Sequence, residues 1–98
     1  MTASHDHPEL PELTRLRGKI EENDRALVDV VRRRVELAIE AGRLKRAAGI
    51  PVFDPDRERE VEQHVLAYAV KSGLDTAHMR LVVRGLIALA RSSQENEE

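Results

Sequence analysis

Between Leu13 and Ala48 the chain contains no proline, and Leu13, Leu16, Ile20, Leu27, Val31, Val35, Ala38 and Gly42 fall on one row of helical spacing. A row of three- and four-residue steps is the period of a helix with one buried seam, so the pattern predicts a single long helix over 13–48. At 1.5 Å per residue it would reach roughly 54 Å, against the ~25 to 30 Å across a compact domain of this length. One copy of the chain cannot bury such a seam alone. The pattern breaks at AAGIPVFDPDRERE, where Gly49 is placed to cap the helix and Ile50, Pro51, Val52 and Phe53 form a short extended link. Asp54 followed by Pro55 reads as an N-cap with proline at the first helical position. A second helix is predicted from about Pro55, with Val61, Val65, Leu66, Ala69 and Val70 available for packing, ending at Lys71-Ser72-Gly73. Gly73 suits a left-handed cap, and Leu74 its accompanying apolar contact. Asp75 then caps a third helix whose buried side is Met79, Val82, Val83, Leu86, Ile87 and Ala90, and Gln94 continues the row 83, 87, 90, 94. The fold class expected is all-α, one long helix and two medium ones without strands. Residues 1–12, with Pro8 and Pro11, read as a disordered arm, 13–94 as the helical domain and 95–98 as a polar tail.

Composition sharpens the need for a partner. In 98 residues there is one Phe, one Tyr, no Trp and no Cys, so the core must come from Leu, Val, Ile and Ala and is small. Burial against a second copy is the economical solution. Lack of Cys excludes disulfides and thiolate chemistry and suits a reducing compartment. The start, MTASHDHPELPE, has neither the basic residues nor the apolar run of a signal peptide, and no stretch of eighteen apolar residues could cross a membrane. The expected location is the cytoplasm. With 16 basic residues against 18 acidic, the net charge of −2 argues against a general nucleic-acid binder. A DNA-binding reading of the Arg32-Arg33-Arg34 run is further opposed by Glu36 and Glu40 close by. His5 and His7 are incidental on this reading, and with only His64 and His78 elsewhere no metal-ligand spacing exists.

Polar residues on an otherwise apolar face locate the candidate chemistry, because an unpaired buried charge costs several kcal/mol. Arg34 and Lys45 are eleven residues apart, three helical turns, and so share a face at about 16 Å. Between them lie Ala38, Ala41 and Gly42, a floor of small residues that leaves room for a compact dianion. The alternative is that both cations extend into solvent, as most helical Arg and Lys do. Arg17 precedes Arg34 by seventeen residues, roughly 25 Å along one helix. If it serves the same site, it must come from an antiparallel second copy in a two-fold dimer. Asp54, Arg57 and Glu58 share the first turn of the second helix and can point one way, or be a cap followed by surface charges. Of Arg32, Arg33 and Arg34, two are expected in solvent and one inward. Gln94 is either a frayed tail residue or an amide donor into the pocket.

Taken in order, Leu16-Arg17-x-x-Ile20, Asp24, Arg34-Val35-Glu36-Leu37-Ala38, Gly42-x-x-Lys45, Val52-x-Asp54-x-x-Arg57-Glu58 and Gln94 form a pattern that resembles the all-helical chorismate mutase family. The resemblance covers about residues 13–94, and the order and spacing of its pieces are more specific than any piece alone. It implies an intertwined helical homodimer that converts chorismate to prephenate without a cofactor. By position, it implies that Arg34 and the partner subunit's Arg17 hold the two carboxylates, that Lys45 contacts a carboxylate and the ether oxygen, and that Gln94 donates to that oxygen. Asp54, Arg57 and Glu58 would surround the ring hydroxyl, with Glu58 the direct contact. Such a rearrangement needs no nucleophile and no general base, consistent with a chain lacking Cys and any evident triad. Ala90 departs from the family, which often has a small hydroxyl residue there, so a carboxylate contact is missing or moved to Ser93. Rival readings keep the fold and change the substrate, to 4-amino-4-deoxychorismate or to isochorismate with loss of pyruvate, or replace catalysis by a non-catalytic helical dimerisation module. The last predicts Arg17, Arg34, Lys45 and Gln94 all facing water.

Overall fold

A computed structural model describes residues 10–97, which form three helices: α1 (Pro11–Ala47), α2 (Pro55–Lys71) and α3 (Thr76–Glu95). The arm through residue 9, with His5 and His7, lies outside the described residues. Among the described residues there is no strand, and no helix is long and apolar enough to cross a membrane. α1 begins at Pro11 rather than Leu13, so Pro11 and Glu12, expected in the arm, are helical. Proline is favourable at a helix's first position because its missing N–H would have no intrahelical acceptor anyway.

The helix ends follow from local chemistry. At the end of α1 the Gly49 N–H donates to the Arg46 carbonyl at 3.2 Å and the Ile50 N–H to the Lys45 carbonyl at 2.8 Å, with Gly49 at φ 72°. The same paired bonds close α2, from Gly73 to Val70 at 3.1 Å and from Leu74 to Ala69 at 3.0 Å, with Gly73 at φ 75°. Both are the double-bonded glycine cap that satisfies otherwise orphaned carbonyls. Asp54 and Asp75 cap α2 and α3, accepting from the N–H groups of Arg57 and His78 at 3.1 and 2.9 Å.

The chain divides into two compact units after Arg32. In the first, the described residues are the N-terminal part of α1, where Leu13 and Val31 are half-buried while Ile20 is 59%, Leu27 58% and Val28 65% exposed. The second holds the remainder of α1 with α2 and α3. There, ion pairs of Glu58 with Arg91 and of Glu62 with Arg84 set α2 antiparallel to α3. Bonds from Arg34 to the Leu86 carbonyl at 3.1 Å and from Gln94 to the Ala38 carbonyl at 2.8 Å run α3 parallel to the end of α1. Among the described residues, Ala69 and Val83 are the buried apolar side chains. A core this small is what the missing aromatics foretell.

Candidate functional site

The second unit carries an open cavity of about 480 Å³, within the range of small-molecule sites. α1 contributes Arg34, Ala38, Ala41 and Lys45; α2 and its approach contribute Val52, Asp54, Arg57 and Glu58; α3 contributes Ala90, Arg91 and Gln94. Six of the seven residues singled out from the sequence therefore share one wall-to-wall space. The seventh, Arg17, is in the N-terminal unit and outside this lining. Its Nη1 is shielded from solvent and has no hydrogen-bond acceptor among the described residues.

Each side chain is placed by the helix that carries it. Arg34 is half-buried and its Nη1 donates to the Leu86 carbonyl, while Arg32 and Arg33 are exposed beside Asp29 and Glu36. Lys45 Nζ, also half-buried, reaches the Val52 carbonyl at 3.4 Å, tying the end of α1 to the extended link. Gln94 is helical, since α3 persists to Glu95, and its Nε2 donates to the Ala38 carbonyl. Ala38 and Ala41 line the cavity as expected of a small-residue floor, but Gly42 lies beneath Gln94 instead. A Cβ at Gly42 would sit 3.3 Å from Gln94 Cγ, so the glycine lets the amide side chain lie against α1. Ser93 donates its hydroxyl to the Leu89 carbonyl at 2.8 Å and is absent from the lining, so Ala90 has no hydroxyl substitute there.

Charge in the cavity is lopsided. Arg34, Lys45, Arg57 and Arg91 stand against Asp54 and Glu58, but Arg57 turns its exposed guanidinium to Glu60 at 3.2 Å and Arg91 is paired with Glu58, so Arg34 and Lys45 are the cations of the lining held by carbonyls alone. Arg91 is the member that sequence reasoning missed. It lies four residues after Ile87 and three before Gln94, so the α3 register contained the signal. Its Nε meets Glu58 Oε2 at 3.2 Å and its Nη2 meets the other carboxylate oxygen, while its Cζ lies 4.6 Å from the centre of the Phe53 ring. That ion pair holds the Arg91 guanidinium above its ordinary pKa, chiefly through the hydrogen bond to Glu58. Arg46 supports the same corner from outside, donating to the Gln94 carbonyl. No group of three His, Cys, Asp or Glu side chains among the described residues could hold a metal ion.

Residues 16–95 match the family described as chorismate mutase type II. Curated relatives include a 4-amino-4-deoxychorismate mutase of Streptomyces venezuelae, 37% identical over 69% of this chain and 66% of the relative, and one of Streptomyces pristinaespiralis, 32% identical over 76% and 58%. A T-protein of Enterobacter agglomerans is 45% identical over 48% of this chain and 13% of its own length. The chain thus spans less than two thirds of the curated relatives it matches. Those named as mutases are isomerases.

Proposed function

The chain belongs to the chorismate mutase type II family, and from that premise we propose that it is an isomerase whose cavity rearranges chorismate to prephenate. The observation that carries this reading is a cavity in which two cations, Arg34 and Lys45, are bonded to backbone carbonyls and not to carboxylates, floored by alanines and edged by a neutral amide. A dianion suits such a pair. The reaction is intramolecular: one C–O bond breaks as a C–C bond forms, no proton moves, and negative charge grows on the departing ether oxygen. The protein's work is to hold the folded, chair-like substrate and to meet that charge with donors already in place. Lys45 and Gln94 are suited to it. Each uses one donor on a backbone carbonyl, and an ammonium has three and an amide nitrogen two, so N–H groups remain for the oxygen. Arg34 would hold one carboxylate. Asp54 and Glu58, at the acidic end with Arg57, would receive the ring hydroxyl.

We further propose a homodimer, intertwined through α1, in which the second carboxylate is held by the partner subunit's Arg17. One observation supports it: the exposed apolar row of the N-terminal unit. An exposed apolar row of this kind marks an interface. A cytoplasmic location is part of the same proposal.

The Streptomyces relatives favour a second reading, action on 4-amino-4-deoxychorismate. Incubating the protein separately with chorismate, its 4-amino-4-deoxy analogue and isochorismate, and identifying the products by NMR, decides between them. Prephenate from chorismate is expected. Turnover of the amino analogue alone would establish the second reading, and turnover of none would leave a binding module.

A further inference from the structure

Resting on the reading of the cavity as a chorismate site, we infer that Arg91 sets the choice of substituent on carbon 4 of the ring, admitting a neutral hydroxyl and rejecting an ammonium. The two ligands differ at that position only, and the acidic end of the cavity, Asp54 and Glu58, is where such a donor is received. Two bare carboxylates there would draw a cation. Here the direct contact, Glu58, is not bare, and Asp54 has one oxygen, Oδ1, committed to the Arg57 N–H at 3.1 Å as the α2 cap. Glu58 is gripped on both oxygens by Arg91, a forked, charge-assisted arrangement.

Geometry keeps Arg91 there. The antiparallel crossing of α2 and α3 sets it opposite the first turn of α2, and the face of Phe53 lies against its guanidinium from the other side. The pair is partly screened from water, the Glu58 side chain being 27% exposed and that of Arg91 44%. Both side chains line the cavity, and both also line two neighbouring depressions that include Phe53, so they stand between the cavity and those depressions.

The two substituents meet this wall differently. A hydroxyl requires only a lone pair, and a carboxylate bound by Arg91 keeps lone pairs to accept from it. An ammonium brings a full positive charge beside the guanidinium, with Glu58 already neutralised. Like charges set side by side in a partly desolvated site discriminate strongly. Arg91 therefore acts on substrate choice through Glu58, as a positioning residue, while Lys45 and Gln94 attend the reacting bond.

The test is the ratio of kcat/KM for 4-amino-4-deoxychorismate to that for chorismate, measured on one preparation of each variant. A partly unfolded preparation lowers both rates and leaves their ratio intact. In Arg91→Gln and, independently, Arg91→Leu the ratio is expected to rise by about tenfold or more, and in Arg91→Lys, which keeps the charge, to stay near the wild-type value. Adding Glu58→Gln to Arg91→Gln should remove the rise. A ratio unmoved in both neutral variants, or a wild type that favours the amino substrate, would overturn the role of Arg91 while leaving mutase activity standing. Wild-type protein that converts neither substrate would overturn the reading of the cavity itself.

Discussion

Lys45 lines the cavity, and its Nζ reaches the Val52 carbonyl at 3.4 Å with two N–H donors left over. Removing one prearranged donor at a developing oxyanion costs about 3 to 4 kcal/mol of transition-state stabilisation, so Lys45→Ala is expected to lose roughly 10² to 10³ in kcat. Its helical circular dichroism should stay that of the wild type. Gly42 makes a finer test because it touches no substrate. An alanine there would press on Gln94 Cγ from 3.3 Å and move the amide by a few tenths of an ångström, although alanine favours the helix by about 1 kcal/mol. We expect Gly42→Ala to remain folded and to lose about tenfold in kcat, a misplacement effect of the kind that tight orientation produces. Unchanged turnover in that variant would show that the Gln94 side chain is not held where the reaction needs it.

Between elements, the clearest electrostatic tie joins α2 to α3. Glu62 accepts from Arg84 Nε at 2.9 Å with Arg80 Nε at 3.4 Å, and the Arg84 hydrogen bond above all holds its carboxyl below the ordinary value of 4.5. A carboxyl depressed in the fold stabilises it fully above the unfolded pKa and loses that contribution as pH falls through the folded value. Between pH 5 and pH 3 the thermal midpoint of Glu62→Gln should therefore fall less than that of the wild type. Parallel curves would mean the pair contributes nothing. The elements themselves were legible in the chain because their punctuation is local: Gly49, Gly73, Asp54 and Asp75 each act within a few residues of where they stand. Gln94 was legible by register once α3 reached it. Arg91 and Arg46 were not singled out, because a cation on a helix flank reads as solvated until the partner helix is set beside it. The seat of Gly42 under Gln94, rather than on the cavity floor, was hidden for the same reason: it depends on how closely two distant segments approach.

At the scale of the whole molecule, the exposed apolar row of the N-terminal unit is the surface that a second copy would cover in the proposed dimer. If the partner subunit's Arg17 completes each cavity, Arg17→Ala and Lys45→Ala disable different halves of one site. Each inactive alone, the two variants refolded together in equal amounts should recover about one quarter of the wild-type rate, since half of the dimers are mixed and each has one intact site. No recovery above the separate rates would place Arg17 outside the site. A cationic cavity that reshapes a bound dianion consumes chorismate, and the ultraviolet absorbance of chorismate reports on that directly. With wild-type protein the absorbance should decay and NMR should identify prephenate, whereas Lys45→Ala at equal concentration should leave it nearly flat. Chorismate that persists beside the wild type, or decays equally fast with Lys45→Ala, would contradict the account.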